Sequence, residues 1–453
     1  RHLGFELGHR SMDDYVESVA GDRGLVRQIM SAIHSSLAST TRVNTFGEVA
    51  LRIIRMAPAV KSRIKSMFEA LVLLVELDGS NASGLAETRI TSATRSHPDW
   101  SSLEIIWETV DGALAEFRAD IMTLSISLEG LQESGVANYE GFNMEIQDRL
   151  QFATDMRLRL REFMPQPRAN VIYWVSNPSK EGSLVLHGAP LNVGEQLEAT
   201  LFSQKETVVM TSATLSSNGS FDHMRERLGF HDCEEQLLGS PFDYPNASLL
   251  CVPANMPMPS SSAYQHALEK AIVDSTIGAD GRTMALFTSH ASLQTAASGI
   301  RSELQGLGYN VLAQGVDAPP HRLVEIFLEN PKSVLLGTAS FWEGVDLSGE
   351  SLKVLLVAKL PFSVPTEPVF EARSEQYEDP FGDYSVPQAI LRLRQGFGRL
   401  IRTKTDRGVV VILDRRIVAR KYGKEFLNSL PPSSFKTCKL HELSREIKNW
   451  ISI

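Results

Sequence analysis

Three cysteines in 453 residues, Cys233, Cys251 and Cys438, lie far apart with no C-x-x-C spacing. The sequence therefore carries neither a disulfide framework nor a zinc or iron–sulfur signature, and a reducing cytoplasm is the compartment it fits. Long apolar runs are missing as well. The most apolar, Ala70 to Val75, is far too short to span a bilayer, and no charged-then-apolar leader opens the chain, so no membrane partner is expected. An excess of positive charge is absent: 45 Lys and Arg against 54 Asp and Glu leave a net charge of −9. A chain of that sign is not coated for polyanions, so any nucleic-acid contact has to be local. Two phosphate signatures are also lacking. The only Gly-Lys pair, Gly423-Lys424, runs into Glu425 and belongs to no G-x-x-x-x-G-K-[ST] loop, and no Asp-Glu dipeptide occurs. The first residue is Arg1, which reads as a larger polypeptide without its beginning.

What is present is the composition of a folded protein, 43% hydrophobic and 22% charged. The length exceeds what one hydrophobic core organises, so two or three structural units are expected. One region breaks the charge balance. Between Phe381 and Lys424 stand eleven basic residues (Arg392, Arg394, Arg399, Arg402, Lys404, Arg407, Arg415, Arg416, Arg420, Lys421 and Lys424) against Asp383, Asp406 and Asp414, which marks a candidate anion site.

Residues 1–166 read as helical. Trp107, Val110, Leu114, Phe117, Ile121, Leu124, Leu128 and Leu131 recur in steps of three and four, one seam of a long helix. A second helical pattern, Met144 to Phe163, leads into Pro165 and Pro167, which end it. From Val171 the grammar changes to short β-branched runs typical of buried strands: Val171–Val175, Ser183–His187 and Thr207–Met210. A helix is predicted from about Ala263 to Ile277, and strands over Met284–Thr288, Ser333–Gly337, Lys353–Ala358 and Val409–Leu413. Strand and helix in alternation imply a doubly wound parallel sheet, an α/β fold. The boundaries that follow are 1–166, 167–240 and 241–453.

Four segments sit where such a sheet gathers ligands. Thr211-Ser212-Ala213-Thr214-Leu215 follows the run ending at Met210; small hydroxyl residues at a strand's carboxyl end can bind phosphate or a carboxylate, and a Ser/Thr-rich turn is the plainer reading. Phe287-Thr288-Ser289-His290 ends the next strand, where a core Phe and a capping Ser are the plainer reading. Gly337-Thr338-Ala339-Ser340-Phe341-Trp342-Glu343-Gly344-Val345-Asp346 leaves another strand: Thr338 can donate to a phosphate, and Glu343 and Asp346 can take ribose hydroxyls or the cationic partners of a phosphate site. Read blandly, its aromatics are core and its acids solvated. In Gln395-Gly396-Phe397-Gly398-Arg399-Leu400-Ile401-Arg402, a helix would put Gln395, Arg399 and Arg402 on one face, two guanidiniums that an anion would join, although a solvated basic face gives the same letters.

In order and spacing these segments resemble motifs III, IV, V and VI of superfamily-two helicases. Their wording, together with Lys359-Leu360-Pro361-Phe362, is similar to the DinG branch of the XPD-like helicases over residues 171 to 431. The resemblance implies RecA-like P-loop NTPase domains: residues 1–166 as an arch-like helical insertion, 167–240 as the remainder of the first RecA-like domain, 241–453 as the second. It further implies an ATP-dependent 5′ to 3′ DNA helicase acting on single-stranded DNA and on duplex with a 5′ single-stranded tail. Arg399 and Arg402 would be arginine fingers and Gln395 a γ-phosphate sensor. Glu343, Gly344 and Asp346 would line the nucleotide side, Thr211, Ser212, Ala213 and Thr214 would couple the domains, and Thr288, Ser289 and Thr338 would hold DNA phosphates. ATP and Mg²⁺ would be its cofactors, with the P-loop, the Mg²⁺ ligands and any iron–sulfur cysteines placed upstream. The competing readings are a non-catalytic nucleic-acid-binding module or an interaction scaffold that keeps the fold.

Overall fold

The computed structural model describes residues 3–36, 41–77, 87–177, 184–212, 214–216, 219–338, 341–342 and 351–452. They form two compact units, one of residues 1–193 with 366–373 and the other of 194–365 with 374–453. The residues expected as 167–240 thus fall partly in each.

In the first unit, β1 (Phe5–Gly8), α1 (His9–Ala20) and α2 (Leu25–Ser36) precede two long helices, α3 (Thr41–Leu77) and α4 (Pro98–Glu129), and then α5 (Tyr139–Phe163). The seam read from the sequence is buried throughout, from Trp107 to Leu131. It packs against Ile53, Val60, Ile64, Met67 and Leu71 of α3. Arg42 donates to the Gly130 carbonyl at 3.0 Å and Arg52 to both Asp120 oxygens at 2.9 Å, so α3 and α4 run antiparallel. Asp111 ties α4 to α5 through Arg157 at 2.8 Å and Arg161 at 3.2 Å.

The strands after Val171 depart from expectation. β3 (Val171–Ser176) and β4 (Val185–Pro190) pair antiparallel, and β1 and β2 (Thr88–Ile90) flank them in the order β1-β4-β3-β2. Their runs show no polar alternation because both faces are covered. Tyr173, Val175 and Leu186 face the helical core, whereas Ile172, Trp174 and Ala189 pack with Val369 and Ala372 of the short helix Pro368–Ser374. Residues expected to be wholly helical therefore contribute two strands.

The second unit carries the α/β fold. Seven parallel strands lie in the order β11-β5-β10-β9-β6-β8-β7. They are β5 (Ser248–Pro253), β6 (Thr283–Leu286), β7 (Asn310–Ala313), β8 (Ser333–Gly337), β9 (Val354–Val357), β10 (Gly408–Ile412) and β11 (Ser434–Cys438). All four strands predicted over this region are there, within one or two residues at each end. One face packs on α6 (Tyr264–Gly278), α7 (His290–Gly306) and the C-terminal helix Leu443–Ile451. The other packs on α8 (Pro320–Glu329), α9 (Val386–Phe397) and α10 (Gly423–Ser429). Alternate residues of β10 point to opposite cores, Val409 and Val411 to one and Val410 and Ile412 to the other, so every position is apolar.

Thr207–Met210 is not a strand: it pairs with nothing among the described residues, and Val209 is 79% exposed. A parallel strand has no hairpin partner beside it in sequence and forms only where a neighbouring strand offers its ladder.

Candidate functional site

Parallel strands deliver all their exits to one edge of the sheet, and the candidate residues of the second unit collect there. Thr338 leaves β8 with 5% of its surface exposed. Its amide donates to Gln314 Oε1 at 2.7 Å and its hydroxyl to the same oxygen at 3.0 Å, while His290 Nε2 lies 3.2 Å from that hydroxyl. Gln314 follows β7 and His290 opens α7, so three adjacent strand exits meet at one hydroxyl. Ser289 caps α7 by accepting from the Ser292 amide at 3.3 Å, and Phe287 is core, the plainer of the two readings. Thr288 and Ser289 are exposed at this edge.

Trp342 is the hub. It is buried with Phe341, and its indole N–H donates to the Phe287 carbonyl at 3.2 Å, which fixes it to the exit of β6. Arg399 Nη2 donates to the Trp342 carbonyl at 3.1 Å. Gly396 lies against the ring so closely that a Cβ there would stand 2.9 Å from Cε3 and Cζ3. Glycine, unfavourable inside a helix, is required at this position by the contact. One indole thus joins the segments resembling motifs IV, V and VI. Glu343, Gly344 and Asp346 lie outside the described residues, as does Ala213.

The expected helical face through Gln395, Arg399 and Arg402 is not found. Helix α9 ends at Phe397, where the Gly398 amide donates to the Arg394 carbonyl at 2.9 Å, and the chain turns through Arg399 N to Gly396 O at 3.0 Å and Leu400 N to Phe397 O at 3.1 Å. Gln395 sits on the last helical turn, and the two arginines follow it on a tight turn pinned by buried Leu400 and Ile401. Buried Asp406 holds that turn by accepting from Arg402 N and Thr403 N at 2.8 Å each and from Thr403 Oγ1 at 2.7 Å. All three site residues are half-buried.

Ser212 Oγ accepts from Thr214 N at 3.1 Å, and Thr211 and Ser212 are exposed; among the described residues neither is hydrogen-bonded to the strand exits. What anchors this segment is Arg394, which donates to the Ser216 carbonyl and whose burial lowers its pKa from the usual arginine value.

Sequence reasoning missed Asp414. It is fully buried at the exit of β10, accepts the Leu360 amide at 2.9 Å and grips Arg416 through Nε at 2.9 and 3.0 Å and Nη2 at 2.6 Å. The Asp-x-Arg spacing was its only signal, and a count of basic residues hides it. Two cysteines far apart in sequence are neighbours: the thiols of Cys251 and Cys438 lie 3.2 Å apart across β5 and β11. Among the described residues no group of three or more His, Cys, Asp or Glu could hold a metal ion.

Residues 272–433 match the helicase C-terminal domain family. The ATP-dependent DNA helicase YoaA of Haemophilus influenzae is 37% identical over 298 residues, 65% of this chain and 46% of that protein. The ATP-dependent DNA helicase YoaA of Escherichia coli is 38% identical over 288 residues, 62% of this chain and 44% of that protein. The 3′-5′ exonuclease DinG of Bacillus subtilis is 34% identical over 273 residues, 58% of this chain and 29% of that protein. The chain spans less than half the length of each of these relatives. A solved structure titled XPD_APO aligns over 96% of this chain and 73% of its own at 12% identity and a TM-score of 0.47.

Proposed function

We propose that the chain is part of a DinG-type, XPD-like superfamily-two helicase, and that it supplies the DNA-gripping and phosphate-sensing part of an ATP-dependent 5′ to 3′ DNA helicase; the match of residues 272–433 to the helicase C-terminal domain family and the 37% identity to a YoaA helicase support the reading. Thr338 and the backbone at Thr288 and Ser289 hold phosphates of a single strand, and the substrate is duplex with a 5′ single-stranded tail. Arg399 and Arg402 meet the γ-phosphate, Gln395 senses it, and Glu343, Gly344 and Asp346 line the nucleotide side. Thr211, Ser212, Ala213 and Thr214 couple nucleotide to DNA, 1–166 acts as the arch, and 167–240 and 241–453 belong to the first and second RecA-like domains.

The observation that carries the reading is the Trp342 hub. An anion that draws Arg399 toward it pulls on the Trp342 carbonyl, and the same indole is bonded to Phe287 beside the proposed DNA contacts. Arginine suits this task because its planar fork stabilises charge that develops in phosphoryl transfer. Half-buried guanidiniums on a turn fixed by Asp406 fit a triphosphate's terminal anion; the P-loop amides, lysine and Mg²⁺ carboxylate that hydrolysis also needs match no motif in these 453 residues.

The chain by itself therefore binds single-stranded DNA, weakly and with steep salt dependence, and does not hydrolyse ATP. Joined to the P-loop segment of a DinG-type relative it hydrolyses ATP, and Arg402→Lys then lowers turnover by about 10³-fold with little change in ATP affinity. Steady-state ATPase with saturating single-stranded DNA and Mg²⁺ checks both. DNA-stimulated turnover by the chain alone that disappears in Arg399→Ala overturns the assignment of the nucleotide site. Unchanged turnover in Arg402→Lys overturns the finger.

A further inference from the structure

We propose that Phe381, backed by Phe362 and Tyr422, is a platform on which a base of single-stranded DNA stacks, with the strand's phosphates on the Tyr422 side. This rests on the single-strand reading above and adds a contact to bases rather than to phosphates.

The platform is built rather than incidental. Phe362 stacks on the Phe381 ring at 5.6 Å and 22°, and Tyr422 meets both rings edge-on, at 5.7 Å from Phe362 and 5.3 Å from Phe381. Fully buried Phe426 supports Phe362 from below at 5.7 Å. The loop carrying Phe362 is tied down twice, to the exit of β10 by Asp414 at the Leu360 amide and to α9 by Arg392, whose Nη1 donates to Ser363 Oγ at 2.6 Å. The Arg416 guanidinium lies 5.5 Å above the Phe362 ring. Despite this backing, Phe381 remains 47% exposed. A core aromatic would be covered, and a casual surface one would not rest on a buried, salt-bridged foundation.

Charge around the rings differs by side. Arg415, Arg420, Lys421 and Lys424 are exposed on the segment that bears Tyr422, opposed there by Glu425 alone. The turn that bears Phe381 carries exposed Glu378, Asp379 and Asp383. A ligand with a flat apolar face and an anionic backbone satisfies both sides, with rings over Phe381 and phosphates toward Lys421 and Lys424. The platform stands at the exits of β9 and β10, and Thr338 at the exit of β8, two or three strands away along β10-β9-β6-β8. At about 4.8 Å per strand that is roughly 10 to 15 Å, so one short stretch of a strand reaches both.

The test measures binding of the whole chain, by fluorescence anisotropy, to oligothymidylate of about 20 nucleotides and to the same backbone without bases, across a salt series. The wild type is expected to bind the base-bearing oligomer more tightly. Phe381→Ala should weaken that binding about tenfold, leave the abasic oligomer and the salt slope unchanged, and be rescued by Phe381→Tyr. Lys421→Ala with Lys424→Ala should weaken both oligomers alike and flatten the salt slope. Equal binding of the two oligomers by the wild type, or Phe381→Ala binding oligothymidylate as the wild type does, overturns the platform and leaves the phosphate contacts standing. A wild-type chain that binds neither oligomer at low salt overturns the single-strand reading itself. Urea midpoints of all variants, expected within those of the wild type because Phe381 is half exposed, separate loss of contact from loss of fold.

Discussion

Two sheets in this chain are written in nearly the same letters and do opposite things. Val171-Ile172-Tyr173-Trp174-Val175 and Val409-Val410-Val411-Ile412-Leu413 are both unbroken apolar runs, yet the first pairs antiparallel and the second parallel on both sides. A continuous apolar run reports that both faces of a strand are covered; it says nothing about the direction of its neighbours. Direction decides what the sheet can do. In the antiparallel sheet consecutive exits leave by opposite edges, so their loops do not converge. In the parallel sheet every exit leaves by one edge, which is why Thr338, Gln314, His290, Leu360 and Asp414 collect there.

The largest effect that would break this contrast comes from Asp414, the buried charge on which the parallel sheet's exits depend. Asp414→Asn leaves Arg416 without its carboxylate in a site where the pair is mostly shielded from water. Removing one partner of a buried pair costs about 3 kcal/mol or more. Asparagine's carbonyl still accepts from the Leu360 amide, so Asp414→Ala should cost more again. Hydrogen exchange should show lost protection at β9, β10 and α10, with α3 and α4 as before. Urea unfolding that shifts no more than a few tenths of a kcal/mol would mean that the exits are held by apolar packing alone.

How much of this was legible depended on whether local pattern or distant neighbours set the structure. The seam of α4 and four of the parallel strands follow from their own residues, because period and burial agree along each. Thr207–Met210 has strand letters and no ladder to join. Phe5–Gly8 and Thr88–Ile90 are three or four residues long, too short to carry a period, and exist because β3 and β4 offer them open edges. β11, the edge strand Ser434–Cys438, is mostly exposed and lacked the apolar signal of its partners. In the site, the strand-exit positions of Thr288, Ser289 and Thr338 were readable from motif order. The end of α9 at Phe397 was not, since the turn after it is held by Asp406 and by the burial of Leu400 and Ile401, and neither was the close approach of Gly396 to Trp342, more than fifty residues away in sequence.

That glycine sharpens the contrast at intermediate cost. Gly396→Ala places a Cβ 2.9 Å from the Trp342 ring, and the ring is hemmed in by its bond to Phe287 and cannot slide away freely. Overpacking of this kind costs about 1 to 3 kcal/mol, partly offset by alanine's better helix propensity. The expected outcome is a lowered urea midpoint with altered Trp342 fluorescence. A variant more stable than the wild type would show that the ring has room and that Gly396 does not explain the close approach.

The smallest effect lies in the helical unit, whose ion pairs sit nearer to water. Burial alone would raise the Asp111 pKa, but the hydrogen bonds and charges of Arg157 and Arg161 outweigh it and hold the carboxyl below its ordinary range. A depressed folded value means that the stabilisation is complete above the unfolded carboxyl's pKa, about 3.9, and is lost as pH falls through the lower folded value. Asp111→Asn should therefore cost about 1 kcal/mol at neutral pH, the modest figure expected where Arg161 is half in solvent. The difference from wild type should shrink as the medium is acidified below pH about 4, because protonated Asp111 and asparagine are both neutral there. Urea midpoints of the two proteins across that range, with protection of α4 and α5 followed by hydrogen exchange, give the answer. A gap that stays constant down to pH about 2 would place the cost in packing between α4 and α5 rather than in charge, and would make the helical unit as indifferent to its ion pairs as the parallel sheet is expected to depend on Asp414.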